Sequence, residues 1–309
     1  MESITKRMAA YEGVVPDEEN IYLSNPHQPE ASATMQNGRL QTQEKKQSSI
    51  RKILGFEELI SLKIWRASLA ELMGTAILAF ALDTIAISTS QTQTTIPLLI
   101  ISILTAFIIS TLVIATFPIS GGFINPTVTF AAALTGLISL SKAFIYISAQ
   151  CIGGIIGALA LKAVINTDTA RTYALGGCTI RVYASRPEGP AATMGIATGR
   201  ALWMETICGF IFLFAAIRSA FDDRQAKAFG RVTVVVTIGA VLGLLGYVSA
   251  LVTDAKGYGG AGLNPAKCFG SAVVRGGELW DGHWVFWVGP FIACVVFALY
   301  TRIISKVLV

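Results

Sequence analysis

Six stretches of about 20 mostly apolar residues, near 65–88, 96–117, 142–165, 199–220, 231–252 and 284–305, constrain this chain before any other feature does. Each is long enough to cross the hydrocarbon core of a bilayer, where a spanning segment has no water to satisfy its backbone and must satisfy it internally. Charged residues make up only 14% of the sequence and hydrophobic ones 53%, whereas a soluble globular chain carries about 25% charged residues. The expectation is an all-α membrane protein with six transmembrane helices. Residues 1–62 are polar, rich in Gln, Ser, Asn, Glu and Lys, and are expected to form a largely disordered tail ahead of a membrane domain over 63–309. The tail lacks the apolar core and cleavage site of a secretory signal, so its retention is expected.

Charge placement predicts the orientation. Arg218, Arg224, Lys227 and Arg231 crowd the link between spans four and five, while residues 89–95 carry no basic residue. Arg51, Lys52, Lys63 and Arg66 precede span one, and Arg302 and Lys306 close span six. The positive-inside rule then puts both termini in the cytoplasm, with the plasma membrane as the expected location. It also accounts for the formal net charge of +5 without nucleic acid as a partner. Residues 51–63 read equally as an interfacial amphipathic helix or as a helical linker.

Two further apolar stretches, about 124–134 and 263–274, each begin at Asn-Pro and are too short to cross. They are expected to be re-entrant half-helices, since backbone broken at membrane depth is tolerated only where it lines a cavity. Glu71 in span one and Glu205 in span four each precede a glycine by three or four residues, and each lies 54 or 59 residues before an Asn-Pro. Three spans per half is odd, so the second repeat, about 199–305, must be inverted relative to the first, about 65–165. The extra five residues are assigned to the glycine-rich approach Lys256–Gly262. In each motif Asn sits at the cap and Pro in the first turn, where its missing N–H costs nothing. Two such ends meeting would place positive half-helix dipoles at the centre of a narrow passage, with the Asn125 and Asn264 amides as donors to a neutral solute. Carbonyls of about Gly121–Ile124 and Gly260–Leu263 would supply acceptors along one wall.

The segments Ser120-Gly121-Gly122-Phe123-Ile124-Asn125-Pro126-Thr127-Val128-Thr129 and Gly262-Leu263-Asn264-Pro265-Ala266-Lys267 resemble the two signature boxes of the aquaporin, or major intrinsic protein, family, over about residues 65–305. Thr127 in the first box, the stretch Leu175-Gly176-Gly177-Cys178, and Cys268 after the second box are most similar to the plant X intrinsic proteins. The resemblance implies a passive channel for small neutral solutes (glycerol, urea, boric acid, hydrogen peroxide) and for water, excluding protons and cations. It also implies a homotetramer in the lipid bilayer with one pore per subunit. The selectivity ring carried over by counting consists of Thr105, Gly246, Ala261 and Lys267, with Tyr247 and Val248 as alternatives to Gly246. The family usually has Arg where this chain has Lys267. Lysine keeps the charge but not the planar fork, so the expected ring retains a cation barrier and is less rigid.

Glu71 and Glu205 are expected to be buried scaffold carboxylates that accept backbone N–H groups of the Asn-Pro loops, rather than proton relays. For Cys178 and Cys268 a disulfide or inter-subunit link, packing, and redox sensing all fit. Cys151, Cys208 and Cys294 read as packing residues, and with only two histidines and no CxxC no metal or other cofactor is expected. Gly153/Gly157 and Gly239/Gly243 allow close helix crossings, within a monomer or between monomers. The alternative function is a secondary active transporter with inverted repeats. That would need a coupling-ion site, and Asp83 stands alone near the end of span one. No Ser/His, Asp/Asp or metal-ligand pair at membrane depth suggests an enzyme.

Overall fold

The computed structural model of the protein describes residues 53–184, 192–253 and 255–307. Most of the expected tail, residues 1–52, lies outside the described residues. The segment just before span one is folded: Phe56–Ile60 form a 3₁₀ turn after Gly55, whose φ is +65°. Glu58 accepts from the Ser139 hydroxyl, and Ser141 donates to the Leu54 carbonyl at 2.6 Å. These bonds tie residues 54–60 to the start of span three, so packing begins ahead of the expected boundary at 63.

Among the described residues six helices are long and apolar enough to cross a membrane. Spans one to five are Leu62–Gln91, Pro97–Ser120, Leu140–Val164, Thr198–Phe221 and Arg231–Val252, and the α-helix of span six is Val285–Val307. Between them lie the half-helices Pro126–Leu134 and Pro265–Arg275, of 9 and 11 residues. At 1.5 Å per residue neither passes far beyond the middle of the bilayer, about 16 Å being the reach of the longer. Outside the helices, Arg181–Ala184 pairs antiparallel with Ala192–Gly195 in the link between spans three and four. Val182, Tyr183 and Thr193 suit a strand, and the ribbon lies between spans, where its edges can meet water.

The packing repeats between halves as an inverted duplication requires. Span one lies against span three and span four against span six, while each half-helix packs on the third span of the opposite half. Spans two and five meet across the join. The outward faces are apolar, with Ile103, Phe107 and Ile114 of span two exposed, whereas Glu71, Thr75, Asp83, Gln150 and Glu205 are wholly buried. That distribution suits a lipid solvent outside and polar work within.

The glycine pairs act inside the chain. A Cβ at Gly153 or Gly157 would strike the Leu72 or Ala76 carbonyl of span one, and one at Gly239 or Gly243 the Ala106 or Ser102 carbonyl of span two. Ser102 uses that approach to donate to Gly243 O at 2.6 Å. Gly246, one turn on, has nothing within 4 Å of a built Cβ. Gly153→Val is therefore expected to lower stability by about 2–3 kcal/mol, as overpacking at a closed contact does. Gly246→Ala should leave the thermal midpoint of the detergent-solubilised protein almost unchanged.

Candidate functional site

The centre of the molecule is built by capping. Asn125 has extended backbone and its Oδ1 accepts from Thr127 N at 2.9 Å; Asn264 likewise accepts from Ala266 N at 3.1 Å and Lys267 N at 3.3 Å. With the oxygen engaged, the amide nitrogen of each turns to the other half. Asn125 Nδ2 donates to Leu263 O at 2.9 Å, and Asn264 Nδ2 donates to Ile124 O at 3.0 Å. Thr127 adds a second donor to Leu263 O at 3.3 Å, a bond that an alanine there could not make. An amide carries two N–H groups, so one on each Asn is left over from this reciprocal strap. Both Asn residues line a cavity.

The two carbonyls point inward because their residues are held in left-handed backbone, Ile124 at φ +38° and Leu263 at φ +55°. Such conformations are costly for residues with a Cβ, above all β-branched ones, and persist only where neighbours fix them. The neighbours are the buried carboxylates. Glu71 accepts from Ile124 N at 2.6 Å and Phe123 N at 3.1 Å, and also from Ser120 Oγ at 2.5 Å and Gln150 Nε2 at 2.7 Å. Among the described residues Glu205 accepts only from Gly262 N at 2.6 Å and Leu263 N at 3.2 Å. The duplicated glutamates do the same work with unequal support. Beside Glu205, burial pushes the Tyr258 phenol above its usual range, with the nearby carboxylate adding to the shift.

Two cavities run to either side of this centre. One, of about 210 Å³, passes Gly121, Gly122, Phe123 and Ile124 and ends among Phe117, Phe221, Ala226 and Arg231, on the side of the four–five link. The other, of about 540 Å³, lies on the ribbon side and is walled by the Gly176–Thr179 loop, Gly259, Gly260 and Lys267. Leu82, Thr105, Leu242 and Gly262 line both and so mark where the two meet.

The residues expected by counting to form the ring fall as follows. Thr105 is in the shared wall, while Gly246 and Lys267 face only the ribbon-side cavity. Tyr247 faces it too, whereas Val248 is 41% exposed on the outer surface. Ala261 lines neither cavity: its N–H donates to Ser249 Oγ at 2.8 Å, and its side chain packs against the main apolar core. Leu82 and Leu242 were missed, while Gly262 lies within the stretch expected to supply wall carbonyls. Leu242 lies one turn before Gly246 on the same helical face, a spacing that could have found it.

Lys267 also departs from expectation, because it is fastened rather than loose. Its ammonium lies 2.9 Å from Asp83 Oδ1 in an ion pair without hydrogen-bond alignment, and donates to Gly176 O at 2.8 Å. Ser271, one turn on, donates to Asp83 Oδ2 at 2.8 Å. The cation that faces the wholly buried Asp83 carboxylate is Lys267, itself 14% exposed. Cys178 and Cys268 are joined in a disulfide that crosses 90 residues and clips the loop to the second half-helix beside Lys267. Cys151 is half-buried and Cys208 and Cys294 are buried, all three as free thiols. No group of three or more potential metal ligands occurs among the described residues.

Comparison with known proteins follows the same geometry. Residues 58–301 match the family model described as Major intrinsic protein. A probable aquaporin PIP2-8 of Arabidopsis thaliana is 34% identical over 81% of this chain and 86% of its own length. Aquaporin-4 of Bos taurus is 32% identical over 79% of this chain and 68% of its own, and a probable aquaporin TIP3-2 of Arabidopsis thaliana is 32% identical over 76% and 81%. The solved aquaglyceroporin of Plasmodium falciparum superposes with a TM-score of 0.61 over 77% of this chain and 95% of its own, at 18% identity, a likeness of fold.

The unequal support of the two carboxylates gives a measurable difference. Gln in place of either would turn an NH₂ toward backbone N–H donors. Gln keeps one acceptor oxygen, so its NH₂ displaces two donors at Glu71 and one at Glu205; Glu71→Gln is expected to cost about 3 kcal/mol, and Glu205→Gln about 1–2 kcal/mol. Thermal unfolding of the two purified variants in one detergent should give that order.

Proposed function

The chain belongs to the major intrinsic protein family, and from that premise we propose that it is a passive channel for small neutral solutes, among them glycerol, urea, boric acid and hydrogen peroxide, as well as water. The observation that carries the solute class is the wall shared by the two cavities, made by Leu82, Thr105, Leu242 and Gly262. It holds aliphatic and small side chains with one hydroxyl, and neither an aromatic ring nor a histidine. Such a wall suits a molecule larger than water with an apolar edge and a hydroxyl or amide edge.

Roles follow for the residues at the centre. Asn125 and Asn264 each offer a remaining N–H to a solute in transit, and Pro126, Thr127, Pro265 and Ala266 start the half-helices that aim them. The positive ends of two half-helices face cations and protons there. Thr105, Gly246 and Lys267 belong to the wall of the wider route, and Glu71 and Glu205 hold its loops.

The chain reads further as a member of the X intrinsic protein subfamily and as a homotetramer with a pore in each subunit. Both termini and the basic four–five link would be cytoplasmic in the plasma membrane. Against an ion-coupled transporter, the buried carboxylates Glu71, Asp83 and Glu205 are each already occupied by protein donors or by Lys267.

Stopped-flow measurements on proteoliposomes test the proposal. Water and glycerol should pass with low activation energy, in proportion to their gradients and without any ion gradient. Leu242→Phe should cut glycerol flux several-fold while affecting water less. Saturating flux that collapses when ion gradients are dissipated would replace the channel with a transporter.

A further inference from the structure

We infer that Asp83 is a positioning residue for solute selection: it holds the Lys267 ammonium in the wall of the ribbon-side cavity and cancels its charge, so that this vestibule is electrically neutral. The inference deepens the channel reading and rests on it. Lys267 is the one charged side chain among the described residues that line this cavity. Asp83 does not line it and has no solvent exposure, so it acts from behind, through the ion pair at 2.9 Å.

The surroundings are arranged around that pair. Ser271 donates to Asp83 Oδ2 at 2.8 Å, which leaves Oδ1 for the ammonium. Ala174, Leu175 and Gly176 are three consecutive residues in left-handed backbone, at φ +47°, +52° and +69°. This is an unfavourable run for residues with a Cβ. Leu175 is completely buried, which anchors the run, and the result is a Gly176 carbonyl 2.8 Å from Lys267 Nζ. Gly176 also presses on Asp83: a Cβ at that glycine would lie 2.6 Å from Asp83 Cα. The Cys178–Cys268 disulfide secures the loop to the half-helix that bears Lys267. The Gly176 carbonyl takes one ammonium hydrogen, and the carboxylate draws the head toward the wall by its charge.

A narrow passage focuses the field of any unpaired charge along it. With the pair intact, the vestibule carries no net charge, and cation exclusion is left to the half-helix dipoles at Asn125 and Asn264. Without Asp83, the vestibule would carry one positive charge on a flexible stem.

Urea and guanidinium have nearly the same size and planar shape and differ in charge, so their flux ratio reads the vestibule's charge at constant size. In proteoliposomes of the full chain, Asp83→Asn should raise the urea-to-guanidinium ratio roughly tenfold. Lys267→Gln, which leaves the carboxylate unpaired, should lower it, and the Asp83→Asn/Lys267→Gln double variant should return toward the unmodified chain. A ratio set by residue 267 alone, with Asp83→Asn indistinguishable from the unmodified chain, overturns the inference. Should Asp83→Asn not fold, the same effect must appear in the Lys267→Gln background; equal guanidinium flux there with and without Asp83 also overturns it.

A second measurement does not depend on which solute passes. Acylation of Lys267 by acetic anhydride, read from the mass of its peptide, should be many-fold faster in Asp83→Asn, and equal rates defeat the pairing. If no neutral solute passes any of these chains, the channel reading fails, while the acylation rates still judge the pair.

Discussion

Two helices that stop in the middle of a bilayer leave amides and carbonyls where no water can satisfy them, and an unsatisfied polar group in hydrocarbon costs several kcal/mol. The reciprocal strap from Asn125 to Leu263 O and from Asn264 to Ile124 O removes much of that cost with two side chains. Each asparagine caps its own half-helix with its oxygen and holds the other loop with its nitrogen. Neither half can form the centre alone, so the strap requires a second, inverted copy of the first half. The rest of the architecture serves it: glutamates fix the two left-handed residues, and glycine stripes let spans one, two, three and five close around the loops.

The two halves differ where the chain departs from symmetry. Ser120 and Ser249 both accept a backbone N–H of the adjoining loop, from Gly122 and Ala261, three residues before the respective Asn. Ser120 lies five residues before Asn125, whereas Ser249 lies fifteen before Asn264. The longer approach lets Tyr258 sink into the protein and Gly259 donate to Thr179 O at 3.0 Å, joining this loop to the one that carries Cys178. The ribbon-side mouth is therefore assembled from three distant segments, and the opposite mouth from helix ends and the four–five link.

That contrast explains what was legible in the sequence. Spans, half-helices and the repeat are written in local hydropathy, Asn-Pro caps and recurring glutamates, and the observed bounds differ from the expected ones by only a few residues for this reason. The two-stranded ribbon was too short to stand out between spans. Thr105 could be found by counting, because span two is an uninterrupted helix into the Asn125 loop. For Ala261 counting says less about where the side chain faces, because its loop is irregular and its N–H is drawn to Ser249. Asp83 was noticed as a carboxylate in an apolar span but given no partner, since Lys267 lies 184 residues away in the other half and no local pattern links them. Of the roles open to Cys178 and Cys268, the disulfide emerged only once the loop was placed.

Lysine at position 267 makes sense in that setting rather than as a weakened arginine. An arginine's planar fork can brace several carbonyls while still presenting N–H groups to a solute; a lysine cannot. Here the bracing is distributed among other groups: the disulfide clips the loop, Ser271 orients the carboxylate, and Asp83 sets the ammonium. Lysine is then needed only as the compact countercharge of a buried aspartate. Gly246 lines the same cavity as Lys267, and a Cβ built there meets nothing within 4 Å. The charge of the vestibule is therefore set by the buried partner of residue 267 and not by the choice between lysine and arginine.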